Sequence, residues 1–189
     1  MHASARTLAV ALIPDRLFAR ALLAVGGTLL LALSAQVAVP LPFSPVPVTG
    51  QTFAVLLIGA ALGARLGAAT VLLYLAEGVA GLPVFTPGAT IGVARLAGPT
   101  GGYLAGFVVA AFVVGLLAER GWDRRVRTAA LAMLAGEAVI YAIALPSLAR
   151  FVPAERLLDA GLWPFVAGDL YKLALAALAL PVAWRVARA

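Results

Sequence analysis

The chain has 189 residues, of which 63% are hydrophobic and only 12% charged, and its mean hydropathy is +1.05. A soluble domain of this make-up would lack the polar surface to cover itself, so lipid is the expected solvent. With no cysteine and a single histidine, His2, disulfides, thiolate metal sites and histidine-based catalysis are excluded, and no metal or cofactor is expected. The net charge of +6 is assigned to loop arginines rather than to nucleic-acid binding.

Arg6, Arg16 and Arg20 precede an apolar run from Ala21 to Val39. A charged start before an apolar stretch resembles a signal peptide, but the run has spanning length and is read as a retained helix. No charge occurs from Ala21 through Ala64, yet Pro40, Pro42, Pro45 and Pro47 cannot share a helix interior. The stretch therefore divides into helix 17–39, a rigid proline-rich loop and helix 51–64. Helix 66–82 follows after little more than Arg65.

Pro83, Gly88, Gly92, Gly98 and Pro99 predict a structured, partly re-entrant loop before helix 101–118. Helix 128–149 comes next. Residues 150–161 mix Arg150, Glu155, Arg156 and Asp159 with Phe151, Leu157 and Leu158, which suits a short amphipathic piece at the interface. Helix 163–187 completes an all-α integral membrane protein of six transmembrane helices in one domain, 1–189.

Charge orients it. Arg6, Arg16, Arg20, Arg65, Arg120, Arg124, Arg125, Arg127, Arg185 and Arg188 fall on one side, against Arg95, Arg150 and Arg156 on the other. The rule that lysine and arginine stay inside places both termini in the cytoplasm, with loops 40–50 and 83–100 outward. Gly59, Gly63 and Gly67, and the stripe Ala24, Thr28 and Ala32, have the four-residue spacing that lets helices approach closely. Packing within the chain and a groove for a membrane partner both fit that pattern.

The informative charges inside predicted helices, away from the arginines at the helix ends, are Glu77, Glu137, Asp169 and Lys172. A charge at the centre of a spanning helix costs about 2.5–3.5 kcal/mol on insertion scales, so such groups face a cavity, a partner or a ligand. Asp169 and Lys172, three apart, share a helix face. They can neutralise one another, or open toward a cavity where the carboxylate accepts N–H donors and the ammonium attracts an anion. Glu77 stands near a helix end and is open to solvent or to function. Glu137 is expected to hydrogen-bond a neighbouring helix or to hold a proton. Arg95, between Gly92 and Gly98, is either solvated or a carboxylate clamp. Thr49 and Gln51 are caps of the second helix or pocket groups. Phe53, Tyr74, Phe85, Tyr103 and Trp163 gather toward the same end, as an aromatic belt or a pocket wall.

The strings Val46-Pro-Val-Thr-Gly-Gln-Thr-Phe53, Tyr74-Leu-Ala-Glu-Gly-Val-Ala-Gly-Leu-Pro-Val-Phe85, Gly98-Pro-Thr-Gly-Gly-Tyr-Leu-Ala-Gly-Phe107 and Gly168-Asp-Leu-Tyr-Lys172 resemble, in this order, the biotin-specific capture subunits (BioY) of energy-coupling factor transporters. The resemblance implies a six-helix substrate-binding component with an outward pocket capped by the loop between helices 1 and 2. It implies biotin as substrate, with a transmembrane coupling protein and two cytoplasmic ATPases as partners in a bacterial or archaeal plasma membrane. Such subunits carry no nucleotide site, and this chain has no Gly-x-x-x-x-Gly-Lys-Ser/Thr loop.

Carried over by motif, Thr49, Gln51, Asp169 and Lys172 would line the pocket. Asp169 would accept from the ureido N–H groups, Lys172 or Arg95 would hold the valerate carboxylate, and the aromatic side chains would pack the thiophane ring. The stripe Ala24, Thr28 and Ala32 is similar to the alanine face by which capture subunits dock on the coupling protein, although Thr28 interrupts it. A homo-oligomer stays open. The alternatives are capture of another vitamin such as riboflavin or thiamine, an intramembrane aspartyl hydrolase built on Asp169 with Glu77 or Glu137, and a structural assembly protein.

Overall fold

The computed structural model describes residues 7–9, 16–88 and 90–187. His2, Arg6 and Arg188 lie outside the described residues. Helix α1 (Leu17–Gln36) leads into a hairpin of β1 (Ala38–Leu41) and β2 (Ser44–Thr49), then α2 (Gln51–Leu62) and α3 (Ala64–Val79). A short α4 (Val93–Ala97) precedes α5 (Gly101–Glu119), α6 (Val126–Leu148), α7 (Leu157–Gly161) and α8 (Trp163–Ala187). Single 3₁₀ turns at Trp122–Arg124 and Ala154–Arg156 flank α6.

The described chain thus departs from an all-α reading at one place. Helix α1 stops at Gln36 instead of running to Val39, and the proline-rich stretch is an antiparallel hairpin pairing Ala38 with Thr49, Val39 with Val48 and Leu41 with Ser44. Pro40 ends the helix because its ring and missing N–H cannot continue the ladder. Isolated two-stranded hairpins tolerate proline because each strand has an open edge on which a missing N–H breaks no ladder bond. Val39, Val46 and Val48 add β-branched side chains.

Four helical stretches, Leu17–Gln36, Gly101–Glu119, Val126–Leu148 and Ala154–Val186, are long and apolar enough to cross a membrane, while α2 is shorter. The predicted second and third helices, 51–64 and 66–82, are observed as Gln51–Leu62 and Ala64–Val79. They meet at Gly63, whose φ of +86° is the left-handed region that favours glycine. Helix α3 begins there with its first N–H satisfied from outside, because Glu119 Oε1 at the end of α5 accepts from the Ala64 amide at 2.9 Å.

Helix α5 is the axis of the bundle and packs on α2, α3 and α6. Its glycines explain why. A Cβ at Gly115 would sit 2.4 Å from the Ala64 nitrogen, and one at Gly106 3.1 Å from the Ile140 Cα. On α2, a Cβ at Gly59 would sit 2.6 Å from the Ala111 carbonyl. Lipid tails are as apolar as leucine, so backbone-to-backbone approach and dispersion, rather than exclusion from water, hold such helices together.

The stripe on α1 turns toward the bundle: Thr28 is buried with Oγ1 donating to the Val25 carbonyl, and Ala24 and Ala32 are half-buried. Its packing against α2 and α3 continues at Gly27, where a Cβ would collide with Thr70 and meet Ile58. The face of α1 away from the protein carries Leu22, Val25, Leu29 and Leu33 instead. Of the stripe expected to dock a partner, Thr28 is 2% exposed and has no surface of its own to offer, whereas Ala24 and Ala32 keep part of theirs.

At the end of the molecule where Arg65, Arg120, Arg124 and Arg125 gather, Trp184 Nε1 donates to Asp123 Oδ2 and the Arg124 guanidinium lies 4.8 Å from the Trp184 ring centre. This ties the turn after α5 to the tail of α8.

Candidate functional site: a polar cavity under the hairpin

At the opposite end, α2, α5, α6 and α8 enclose a cavity of about 50 Å³ with the hairpin and the 86–100 segment above it. Its floor is a network built on α8. Lys172 Nζ donates to Asp169 Oδ1 at 3.1 Å, to Thr52 Oγ1 at 3.1 Å and to the Thr49 carbonyl at 2.7 Å. An ammonium has three N–H donors, and all three are engaged. Thr52 Oγ1 donates in turn to Asp169 Oδ1 at 3.2 Å, and the Tyr141 hydroxyl donates to Asp169 Oδ2. Asp169 is 6% exposed, so these charge-assisted bonds are shielded from water and hold the carboxylate in one orientation.

The hairpin is fastened to this floor. Besides the Lys172 bond at Thr49, Ser44 Oγ donates to the Ala160 carbonyl at 2.6 Å, and the Gly50 amide donates to the Ser34 carbonyl at 3.2 Å. Gln51 begins α2, and its backbone amide donates to Thr49 Oγ1 at 3.3 Å, but the N-cap is Gly50 and α2 has no side-chain capping bond, so the cap expected of Thr49 is not formed. The Gln51 side-chain Nε2 donates to the Tyr74 hydroxyl at 2.9 Å, which donates onward to the Val84 carbonyl at 3.0 Å.

Of the residues singled out in the sequence, Thr49, Gln51, Arg95, Tyr103, Asp169 and Lys172 line the cavity. Phe53, Tyr74, Glu77 and Phe85 do not. Tyr74 is fully buried behind Gln51, and Phe85 meets it edge to face at 5.5 Å between ring centres. Phe53 is half-buried against the core and Glu77 half-exposed near the end of α3. The apolar wall comes instead from Leu104, Phe107, Ile140 and Phe165 beside Tyr103, whose hydroxyl donates to the Gly161 carbonyl at 2.6 Å.

Thr52, Tyr141 and Phe165 were not anticipated. Phe165 stands four residues before Asp169 and Tyr141 four after Glu137, so helical spacing from the flagged charges would have found both. The hydrogen-bonded neighbour expected of Glu137 is not found: it is buried, and neither carboxyl oxygen has a partner among the described residues. No carboxyl group hydrogen-bonds Asp169. The proton-sharing pair that an aspartyl hydrolase requires is therefore missing from the described residues.

Arg95 enters from α4, outside the long helices, and its buried Nε has no hydrogen-bond partner among the described residues. Burial draws its guanidinium below the usual arginine value and the neighbouring Tyr74 ring partly opposes that shift. Arginine starts so high that the group stays cationic. The arrangement offers a bound molecule a fixed carboxylate acceptor at one end, an aromatic wall, and a cation with unused donors at the other.

The fold is one already known. A crystal structure of the S-component for biotin from an ECF-type ABC transporter superposes with a TM-score of 0.79 over 92% of this chain and 94% of that one, at 23% identity. A model of the BioY family matches residues 6–189. The biotin transporter BioY of Thermotoga maritima is 41% identical over 80% of this chain and 87% of its own length. The probable biotin transporter BioY of Pyrococcus horikoshii is 40% identical over 79% and 86%, and the biotin transporter BioY of Rhizobium etli 38% identical over 83% and 88%. The chain belongs to the BioY family, a family of transporters and not of enzymes.

Proposed function

We propose that this protein is the biotin-capture subunit of an energy-coupling factor transporter, a multi-pass protein of the plasma membrane. The observation that carries the reading is the Asp169 network on the cavity floor. Lys172 and Thr52 occupy Oδ1 and Tyr141 occupies part of Oδ2. A carboxylate has about four acceptor positions, so one remains on Oδ2 for a ligand N–H. A ureido N–H fills it. One Gln51 amide hydrogen is engaged with Tyr74, which leaves the second for the ureido carbonyl.

Tyr103, Phe107 and Phe165 pack the thiophane ring, in place of the wider aromatic set expected from the sequence. The ligand carboxylate goes to Arg95, because Lys172 has no donor left to give it. An uncharged flavin has no group for the Arg95 cation, and a thiamine cation would be repelled by it.

In this reading the six longer helices cross the membrane with both termini in the cytoplasm, the cavity faces outward, and an ATPase-driven coupling module moves the captured vitamin inward. The charge distribution supports that orientation, since Arg65, Arg120, Arg124 and Arg125 lie at the end remote from the hairpin. Equilibrium binding of labelled biotin to the detergent-purified protein tests capture. Saturable binding that weakens in Asp169→Asn and Lys172→Ala is expected; no saturable binding by the parent, or unchanged affinity in both variants, would sink the proposal.

A further inference from the structure

Arg95 borders two cavities. Beside the one over Asp169 lies a second of about 390 Å³, between the hairpin and the segment leading to α4, lined by Gln36, Pro40, Ser44, Pro87 and Gly88. Only Pro47, Thr86 and Arg95 belong to both linings. In this arrangement the inner cavity has about 50 Å³, whereas sites for small organic ligands run from roughly 300 Å³ upward. The hairpin must shift before a bicyclic acid can enter, and until then the only one of the two spaces of sufficient size is the outer one.

Among the described residues lining the outer space, Arg95 is the only cation. Gln36 Nε2 donates to the Ala32 and Phe85 carbonyls, and the Ser44 hydroxyl donates to the Ala160 carbonyl. The buried Arg95 Nε has no partner among the described residues, and a guanidinium holds a carboxylate with parallel N–H bonds. We infer that the outer cavity is a first binding station for the carboxylate of a monocarboxylic acid, and that Arg95 keeps hold of that carboxylate while the ring end of the ligand swings beneath the hairpin to Asp169.

The inference rests on the biotin reading above and extends it by a second site and an order of events. Because one cation serves both stations, the carboxylate is never returned to water between them, so the costly step of desolvating it occurs once. What remains for the second step is displacement of the hairpin, whose fastenings are the Ser44 and Lys172 hydrogen bonds.

Association and dissociation of tritiated biotin, followed by rapid filtration on the full chain in lipid nanodiscs, tests this. The expected association rate constant rises with biotin concentration and then levels off, the signature of a weak first complex followed by a slower rearrangement. Hexanoate, a monocarboxylate without N–H donors, is expected to slow association about fivefold at millimolar concentration. Arg95→Ala is expected to abolish both the levelling-off and the hexanoate effect. Ala38→Trp, which fills the outer cavity only, is expected to slow association and dissociation by a similar factor, about tenfold, leaving the equilibrium affinity within about twofold. Saturable biotin binding with a strictly linear association rate, or with no response to hexanoate, overturns the two-station inference and leaves capture standing. Absence of saturable biotin binding overturns the capture reading itself, and this inference with it.

Discussion

The two ends of the bundle are held together by different physics. Toward the arginine-rich end, helices meet through backbone: Gly115 lies against Gly63 and Ala64, and Gly59 against Ala111. Toward the hairpin, backbone approach continues at Gly106 against Ile140, but polar side chains are added, with Asp169, Lys172, Thr52 and Tyr141 joining α8, α2 and α6 around a cavity. Close-packed backbone has one workable arrangement and resists change, whereas a hydrogen-bonded ring can exchange partners with an incoming ligand at little net cost. Rigidity and recognition are thereby assigned to separate ends of the same helices.

That division is open to challenge by substitution. The largest effect is expected from Asp169→Asn, which removes the fixed anion, leaves Lys172 short of its counter-charge, and should weaken biotin binding about 100-fold, or roughly 3 kcal/mol, in equilibrium titration. Next comes Gly115→Ala at the other end. Its methyl would sit 2.4 Å from backbone atoms of Gly63 and Ala64, and a loss of about 2–3 kcal/mol should show as a lowered Tm with biotin affinity preserved in the protein that stays folded. A fall in affinity without a fall in Tm would break the division.

Arg95→Ala should cost about 2 kcal/mol, near 30-fold in Kd, for biotin, and much less for biotin methyl ester, which lacks the anion. Equal losses for both ligands would move the carboxylate elsewhere. Tyr141→Phe removes one donor from Asp169 and should weaken binding by about 1 kcal/mol, roughly fivefold, while the Tm stays within a few degrees. The smallest effect is reserved for Glu137→Gln. Its carboxyl is buried without a hydrogen-bond partner among the described residues, so the amide should leave Tm unchanged or raise it by up to a few degrees in a thermal melt. A marked fall would mean that the carboxyl makes an interaction its surroundings do not reveal.

The long helices were legible because spanning length and unbroken hydropathy are properties of composition. The segment Trp163–Ala187 coincides with its expected range, and the others shift by a few residues at their ends. Where Gly63 alone separates α2 from α3, both ends moved, since a left-handed glycine acts through one dihedral angle that hydropathy does not register. The hairpin was hidden for the opposite reason: prolines announce that helix is impossible but do not say which strand edges face outward.

At the site, the charges were legible because a charge inside a lipid-facing helix is expensive and must be explained. Their neutral partners were not. Neither Thr52 nor Tyr141 carries such a cost: Tyr141 is marked only by its helical spacing from Glu137, and Thr52 only by the folded geometry. Phe85 and Tyr74 illustrate the converse, since both lie near the motif in sequence yet support the wall from behind. Gly27, beside the stripe on α1, shows that small residues signal close approach without naming the neighbour, which here is the chain's own Thr70 and Ile58.

The three bonds of the Lys172 ammonium have a further consequence. A visiting molecule competes there with the protein's own Thr49 carbonyl, Thr52 hydroxyl and Asp169 carboxylate, already at 2.7–3.1 Å, and not merely with loosely held water. Free fatty acids, which present a carboxylate but no N–H donors, are poor rivals for that internal incumbent. The floor thus turns a bare carboxylate away from Lys172 and leaves Arg95 as the place where an anion is taken.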